Sequence, residues 1–143
     1  GSPTAPLTVM GDINWANYQV SADVLLEQAG YLELIGNLVS QVRLGGAVVG
    51  YHLRITSAGV WTLFKEASTS SNTIQDTTLA SGTASFSINN WHTLSLILKN
   101  GTIQALIDNN RVASVKDSTY THGQIGLLVS KWIHARFDNI SIV

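Results

Sequence analysis

The sequence predicts an all-β domain, a two-sheet antiparallel β-sandwich of about ten strands, on three observations. Apolar residues recur with a period of two along several runs, as in Tyr18, Val20, Ala22, Val24 and Leu26. Polar, glycine-containing turn signals separate those runs, and no window of 11 residues carries a capped apolar stripe of period 3.6. Helix content is therefore expected to be close to nil.

Taken in chain order, Gly1-Ser2 reads as an expression scar and residues 3–6 as the remnant of an inter-domain linker, leaving 7–143 as a single module. The first long strand has Tyr18 to Leu26 on one face and Gln19, Ser21, Asp23 and Leu25 on the other, and it ends at Gln28-Ala29-Gly30. In the stretch Tyr51 to Ile55, Tyr51, Leu53 and Ile55 point inward and leave His52, Arg54 and Thr56 on the opposite face. Ser57-Ala58-Gly59 then turns the chain. Ala67 to Asn72 is rich in hydroxyls and low in bulk, and it reads as a loop at one end of the sandwich. Leu94-Leu96-Leu98 and Ile103-Ala105-Ile107 flank Asn100-Gly101, a two-residue hairpin signal. Asp108-Asn109-Asn110 and Thr121-His122-Gly123 mark further turns before Ile125-Leu127-Val129. The final apolar run, Phe137 to Val143, alternates too unevenly for its faces to be assigned.

Bulk composition narrows the function classes. The 143 residues are 45% hydrophobic and 12% charged with a formal net charge of -1, so there is no basic field for a phosphate backbone. The longest apolar runs, Ala58 to Phe64 and Gly123 to Val129, fall far short of the roughly 20 residues of a membrane helix. Nucleic acid and membrane are not expected as partners. Cysteine is absent, which removes disulfides, thiolate zinc sites and a cysteine nucleophile together. The chain is expected to be a monomer.

Two constellations could bind something. Gly11-Asp12-Ile13-Asn14-Trp15 presents oxygen ligands two residues apart, which suits either calcium or a local Asx-turn. Asp138 lies inside an apolar run, and its charge needs Arg136, Lys131 or a metal beside it. The second constellation is a set of aromatic and planar polar side chains of the kind that recognises sugar rings: His52, Arg54, Trp61, Tyr120, Trp132, His134 and Arg136. Each of these is also an ordinary residue of a solvated sheet face. Trp15 and Trp91, beside strand starts, read as core plugs. Nothing points to catalysis: the glutamates are Glu27, Glu33 and Glu66, with no Glu-x-Asp-x-x-Glu strand and no Gly-x-Ser-x-Gly elbow. The four histidines lack metal-ligand spacing.

Gly11-Asp12-Ile13-Asn14-Trp15-Ala16-Asn17 and Ala22-Asp23-Val24 resemble the start of the C-terminal lectin-like domain of galactocerebrosidase-type glycoside hydrolases. Leu34-Ile35-Gly36, Gly45-Gly46, Asn90-Trp91-His92-Thr93-Leu94 and Phe137-Asp138-Asn139 follow in matching order, so the resemblance covers nearly the whole chain. It implies a concanavalin A-like jelly roll with a structural calcium ion held by Asp12, Asn14 and Asp138 near the junction of the first and last strands. A backbone carbonyl of Gly45 or Gly46 would complete the shell. It also implies that the catalytic glutamates lie in a separate barrel, and that this module is extracellular, non-catalytic and attached to a hydrolase. The expected partner is a galactose-containing or related glycan. Two alternatives are a structural accessory domain without independent sugar binding and a laminin-G-like protein-interaction module with an exposed apolar patch.

Overall fold

The computed structural model describes residues 7–41, 46–69, 73–130 and 134–143. Eleven strands occur among these residues, and no helix. They are β1 (Leu7–Met10), β2 (Tyr18–Leu26), β3 (Tyr31–Gln41), β4 (Val48–Thr56), β5 (Val60–Ser68) and β6 (Ile74–Thr83). β7 (Trp91–Lys99), β8 (Thr102–Ile107), β9 (Asn110–Lys116), β10 (Gln124–Val129) and β11 (Ala135–Ile142) complete the set. One sheet has six strands in the order β1-β10-β3-β4-β5-β6, and the other has five in the order β11-β2-β7-β8-β9. The sandwich and its jelly-roll layering agree with the sequence expectation.

The inner faces are the alternating apolar sets. Val20, Ala22, Val24 and Leu26 of β2 and Leu94, Leu96 and Leu98 of β7 meet Leu32 and Leu34 of β3, Tyr51, Leu53 and Ile55 of β4 and Ile125 and Leu127 of β10. Each Val, Leu or Ile among them contributes about 1.5–3 kcal/mol on burial, so the pattern fixes register as well as stability. Asn100 and Gly101 both adopt positive φ, 52° and 74°, between Lys99 and Thr102. That is the primed two-residue turn the Asn-Gly pair signals. Asp108 and Asn109, at 52° and 64°, close the next hairpin in the same way.

Three elements differ from the sequence reading. Ala67 and Ser68 continue β5 instead of opening a loop, while residues 70–72 lie outside the described residues. β6 is an exposed edge strand whose polar composition hides any alternation. β11 shifts register between Asp138 and Ser141 with Asn139 at φ 50°, and this bulge is why the final run alternates unevenly. β3 is buried on both faces from Leu32 to Leu38 because Ile35 and Leu38 join Val48, Leu7, Val9 and Leu128 in a second apolar cluster on the outer side of the six-stranded sheet. The packed inner faces leave two outer faces and the loop ends for recognition.

Candidate functional site

The residues singled out in the sequence do not gather in one place. His52 and Arg54 do reach the outer face of the six-stranded sheet, where Glu33 of β3 sits between them. Glu33 Oε1 lies 2.6 Å from His52 Nδ1, and Glu33 Oε2 accepts from Arg54 Nε at 2.7 Å. His52 Nε2 faces the Val48 carbonyl at 2.7 Å, so both ring nitrogens meet acceptors and the imidazolium satisfies both. Burial opposes charge on each member. The Glu33 hydrogen bond and charge nevertheless hold His52 above its ordinary value, and the two cations hold Glu33 below its own. The Arg54 guanidinium is clamped over the Tyr31 ring at 4.1 Å and the Phe64 ring at 5.1 Å, and His52 stacks on Phe64 at 4.7 Å. At 1% exposure, His52 cannot touch a sugar. It is a structural ion-pair member, and Arg54 keeps only its outer edge in solvent.

Trp61 is 5% exposed and packed in the core beside Gly82, so it offers no stacking face. Tyr120 stands edge-on to Tyr51 and donates its hydroxyl to the Glu66 carbonyl. Trp132 lies outside the described residues, as does Lys131. His134 is exposed just before β11, and Arg136 lies on the outer face of the other sheet.

Of the expected calcium ligands, Asp12 and Asn14 lie before β2 and Asp138 lies in β11. Asp12 Oδ1 accepts the Asn14 N–H at 2.8 Å, the Asx-turn arrangement, at the end of the sandwich where Gly123 donates to the Trp15 carbonyl. Asp138 lies opposite Asp23 in the β11–β2 ladder. Gly45 falls outside the described residues, and no group of three or more His, Asp or Glu among those described is arranged to hold a metal.

What the sequence reading missed is on the outer face of the five-stranded sheet. Trp91, expected as a core plug, is 49% exposed. Leu94, Leu96 and Leu98 of the same strand point inward, so Trp91, Thr93 and Ser95 point out; the alternation already contained this signal. Cross-strand register builds a row Trp91, Leu25, Arg136 and, two residues along, a row Thr93, Asp23, Asp138. Thr93 donates its hydroxyl to Asp23 Oδ1 at 2.7 Å, and Asn139 Nδ2 donates to Asp23 Oδ2 at 2.8 Å. Those two hydrogen bonds, Asn139 first, hold Asp23 below the usual carboxylate range. Arg136 is engaged by Glu27 at 2.6 Å, so neither Asp23 nor Asp138 has an ion-pair partner among the described residues. An indole beside fixed, ionised acceptors is the chemistry of sugar recognition. It is poor glycosidase chemistry, because a general acid needs a raised pKa and Asp23 is lowered.

Over residues 2–143 the sequence matches the family described as galactocerebrosidase, C-terminal lectin domain. The chain belongs to that family. The lectin domain is thus the non-catalytic part of such enzymes, as the sequence motifs indicated. Its fold is similar to the carbohydrate binding module CBM66 from Bacillus subtilis, at TM-score 0.78 and 16% identity over 99% of this chain and 83% of that one. Sheep galectin-11, solved with glycerol, superimposes at TM-score 0.64 and 12% identity over 100% of both chains. A family 16 endo-glucanase from Bacteroides ovatus matches at 0.60 and 14% identity over 90% of this chain and 70% of its own. At these identities the likeness is one of fold. No curated protein sequence matches the chain.

Proposed function

We propose that this lectin domain is a non-catalytic glycan-binding module of a secreted glycoside hydrolase, and that it holds a neutral, galactose-containing or related glycan on the outer face of the five-stranded sheet. The observation that carries the reading is Trp91, half exposed beside the ionised and hydrogen-bonded Asp23. The indole supplies a flat apolar platform for the C–H side of a pyranose, and Asp23 and Asp138 accept its hydroxyl protons. The concentration of carboxylates there disfavours uronic or sulfated chains. Affinity should be modest, since a shallow site on a sheet buries little area.

The test is titration calorimetry, with tryptophan fluorescence as a second readout, against galactose-, glucose- and xylose-based oligosaccharides and polysaccharides. Saturable binding to one class, lost in W91A with melting unchanged and retained in R54A, supports the proposal. The same exposed indole would also suit a structural accessory domain that packs on a catalytic barrel. Silence across the whole panel, with Trp91 buried when the parent enzyme is assembled, selects that second reading.

A further inference from the structure

In an unbroken strand Asn139 would follow the outward-facing Asp138 onto the inner face, which Phe137 shares with the core. The β11 bulge prevents this. With the register shifted between Asp138 and Ser141 and Asn139 at φ 50°, its side chain turns outward, and Nδ2 donates to Asp23 Oδ2 at 2.8 Å. Left-handed backbone outside glycine costs free energy, and bulges that re-aim a side chain recur next to active sites. The strained turn of β11 therefore delivers a donor to the one carboxylate of β2 that stands beside Trp91.

Asp23 is gripped from its other side as well, because Thr93 of β7 donates its hydroxyl to Oδ1 at 2.7 Å. Each carboxylate oxygen thus takes one donor, from strands on opposite sides of β2, and the rotation of the group is fixed. An ionised carboxylate has about four acceptor sites, so one stays open on each oxygen. The charged groups around it do not fill them. Asp138, directly opposite, accepts the Asn139 N–H, and Arg136 on the next row is engaged by Glu27. Two open acceptors on a fixed carboxylate match two O–H groups held side by side, as adjacent gauche hydroxyls of a pyranose are. Thr93 and Trp91 are two residues apart on the same face of β7, about 7 Å along the strand, so one ring can lie against the indole and reach Asp23.

We infer that Asn139, together with Thr93, is a positioning residue that presents both oxygens of Asp23 to two adjacent free hydroxyls of a pyranose. This rests on the reading of the Trp91 face proposed above and narrows its ligand to a glycan residue with an unsubstituted vicinal diol. Linkage, acetylation or deoxygenation at either position removes one of the pair.

The experiment is calorimetric titration of the domain, over a pH series, with the methyl glycosides of galactose, glucose and xylose and their singly deoxygenated analogues. The Asp23 carboxyl is followed in parallel by ¹³C NMR. For the glycoside that binds, deoxygenation at each of two adjacent positions should weaken binding roughly tenfold. N139G keeps the positive φ of the bulge and removes the amide, and T93V removes the hydroxyl from another strand should N139G not fold. Each should also bind roughly tenfold more weakly while melting stays near that of the parent. Because the lost donors favour the ionised form, the Asp23 titration and the acid limb of binding should both move to higher pH. T93S should restore both. Unchanged affinity in N139G and T93V, an Asp23 titration that does not move, or a deoxygenation series with no sensitive adjacent pair would overturn the inference. Binding that depends on Trp91 but survives in N139G and T93V sinks this inference alone. A parent silent toward every glycoside, or one whose binding survives W91A, sinks the face proposal and this one with it.

Discussion

The two outer sheet faces carry similar residue types in opposite states. On the six-stranded sheet, Glu33 is met by both His52 and Arg54, and the guanidinium is covered by Tyr31 and Phe64. On the five-stranded sheet, Asp23 and Asp138 face each other with no cation paired to them among the described residues, while Trp91 stands half in solvent. Charges consumed by their neighbours build structure, and charges left open are available to a ligand. The first face is therefore expected to fail by unfolding and the second by losing affinity.

The largest effects should come from the satisfied side and the core. Replacing Glu33 by glutamine strands His52 and Arg54, and breaking one partner of a buried ion pair costs about 3–5 kcal/mol. A domain of this size should lose about 10 °C in melting temperature, read by calorimetry or circular dichroism. W61A, which empties a core position, should cost about 3–5 kcal/mol, whereas W91A should stay within about 0.5 kcal/mol of the parent. Equal losses for the two tryptophans would dissolve the distinction between core and platform.

A pH series sharpens the same contrast. Burial and a hydrogen bond to Asp76 push the Glu66 carboxyl up to about 7, against a backbone bond from Val48 that favours its ionised form. The folded state thus holds this proton where the unfolded chain has released it, so the Glu66 contribution to stability falls as pH rises from about 4.5 to about 7. His52, held above its ordinary value by Glu33, adds stability that is complete below about 6.5 and disappears as pH rises through its higher folded value. Glu33, held low, acts in the other direction and loses its contribution only in acid. E66Q can still accept from Val48 and donate to Asp76, so urea denaturation of this variant should show a flatter slope between pH 4.5 and 7 than the parent.

Next in size is binding at the open face. Truncating an aromatic anchor commonly costs about 2 kcal/mol or more, so W91A should weaken glycan binding roughly 30-fold in calorimetry without a shift in melting. R54A, on the other sheet, and Q104A, in β8 opposite Ile97 and away from the indole, should leave the dissociation constant within a factor of two.

How much of this was legible depended on whether periodicity reached the residue in question. Strands β2, β7, β8 and β10 declared themselves because half of each is core, and the Asn100-Gly101 turn because two consecutive positive φ values favour that pair. β6 was silent, since an exposed edge strand has no apolar side to mark. The site was legible only in part. Alternation correctly sent His52 and Arg54 outward, yet it could not say that Glu33 would consume them, because that contact joins residues 19 and 21 apart. Trp61 was lost for a similar reason: it is bulky and aromatic like a platform, but its parity matches Leu63 and the core. Trp91 was recoverable by counting three residues back from Leu94. The pairing of Asp138 with Asp23 was hidden by the Asn139 bulge, which breaks the period just where it mattered for the expected calcium ligands.

The smallest predicted effect is also the one that ties stability to function at the open face. Like charges directly opposite each other on neighbouring strands are destabilising by about 0.2–1 kcal/mol, and Asp23 and Asp138 are such a pair. D138N removes one charge while its side-chain oxygen can still accept the Asn139 N–H that Asp138 now accepts. The variant should therefore melt slightly higher, by about 1–2 °C in low salt, and the gain should shrink as ionic strength rises. If the carboxylate is kept as a sugar acceptor, the same variant should bind glycan several-fold more weakly. A stabilised variant with undiminished binding would remove Asp138 from the site and leave Asp23 as the sole acidic acceptor beside Trp91.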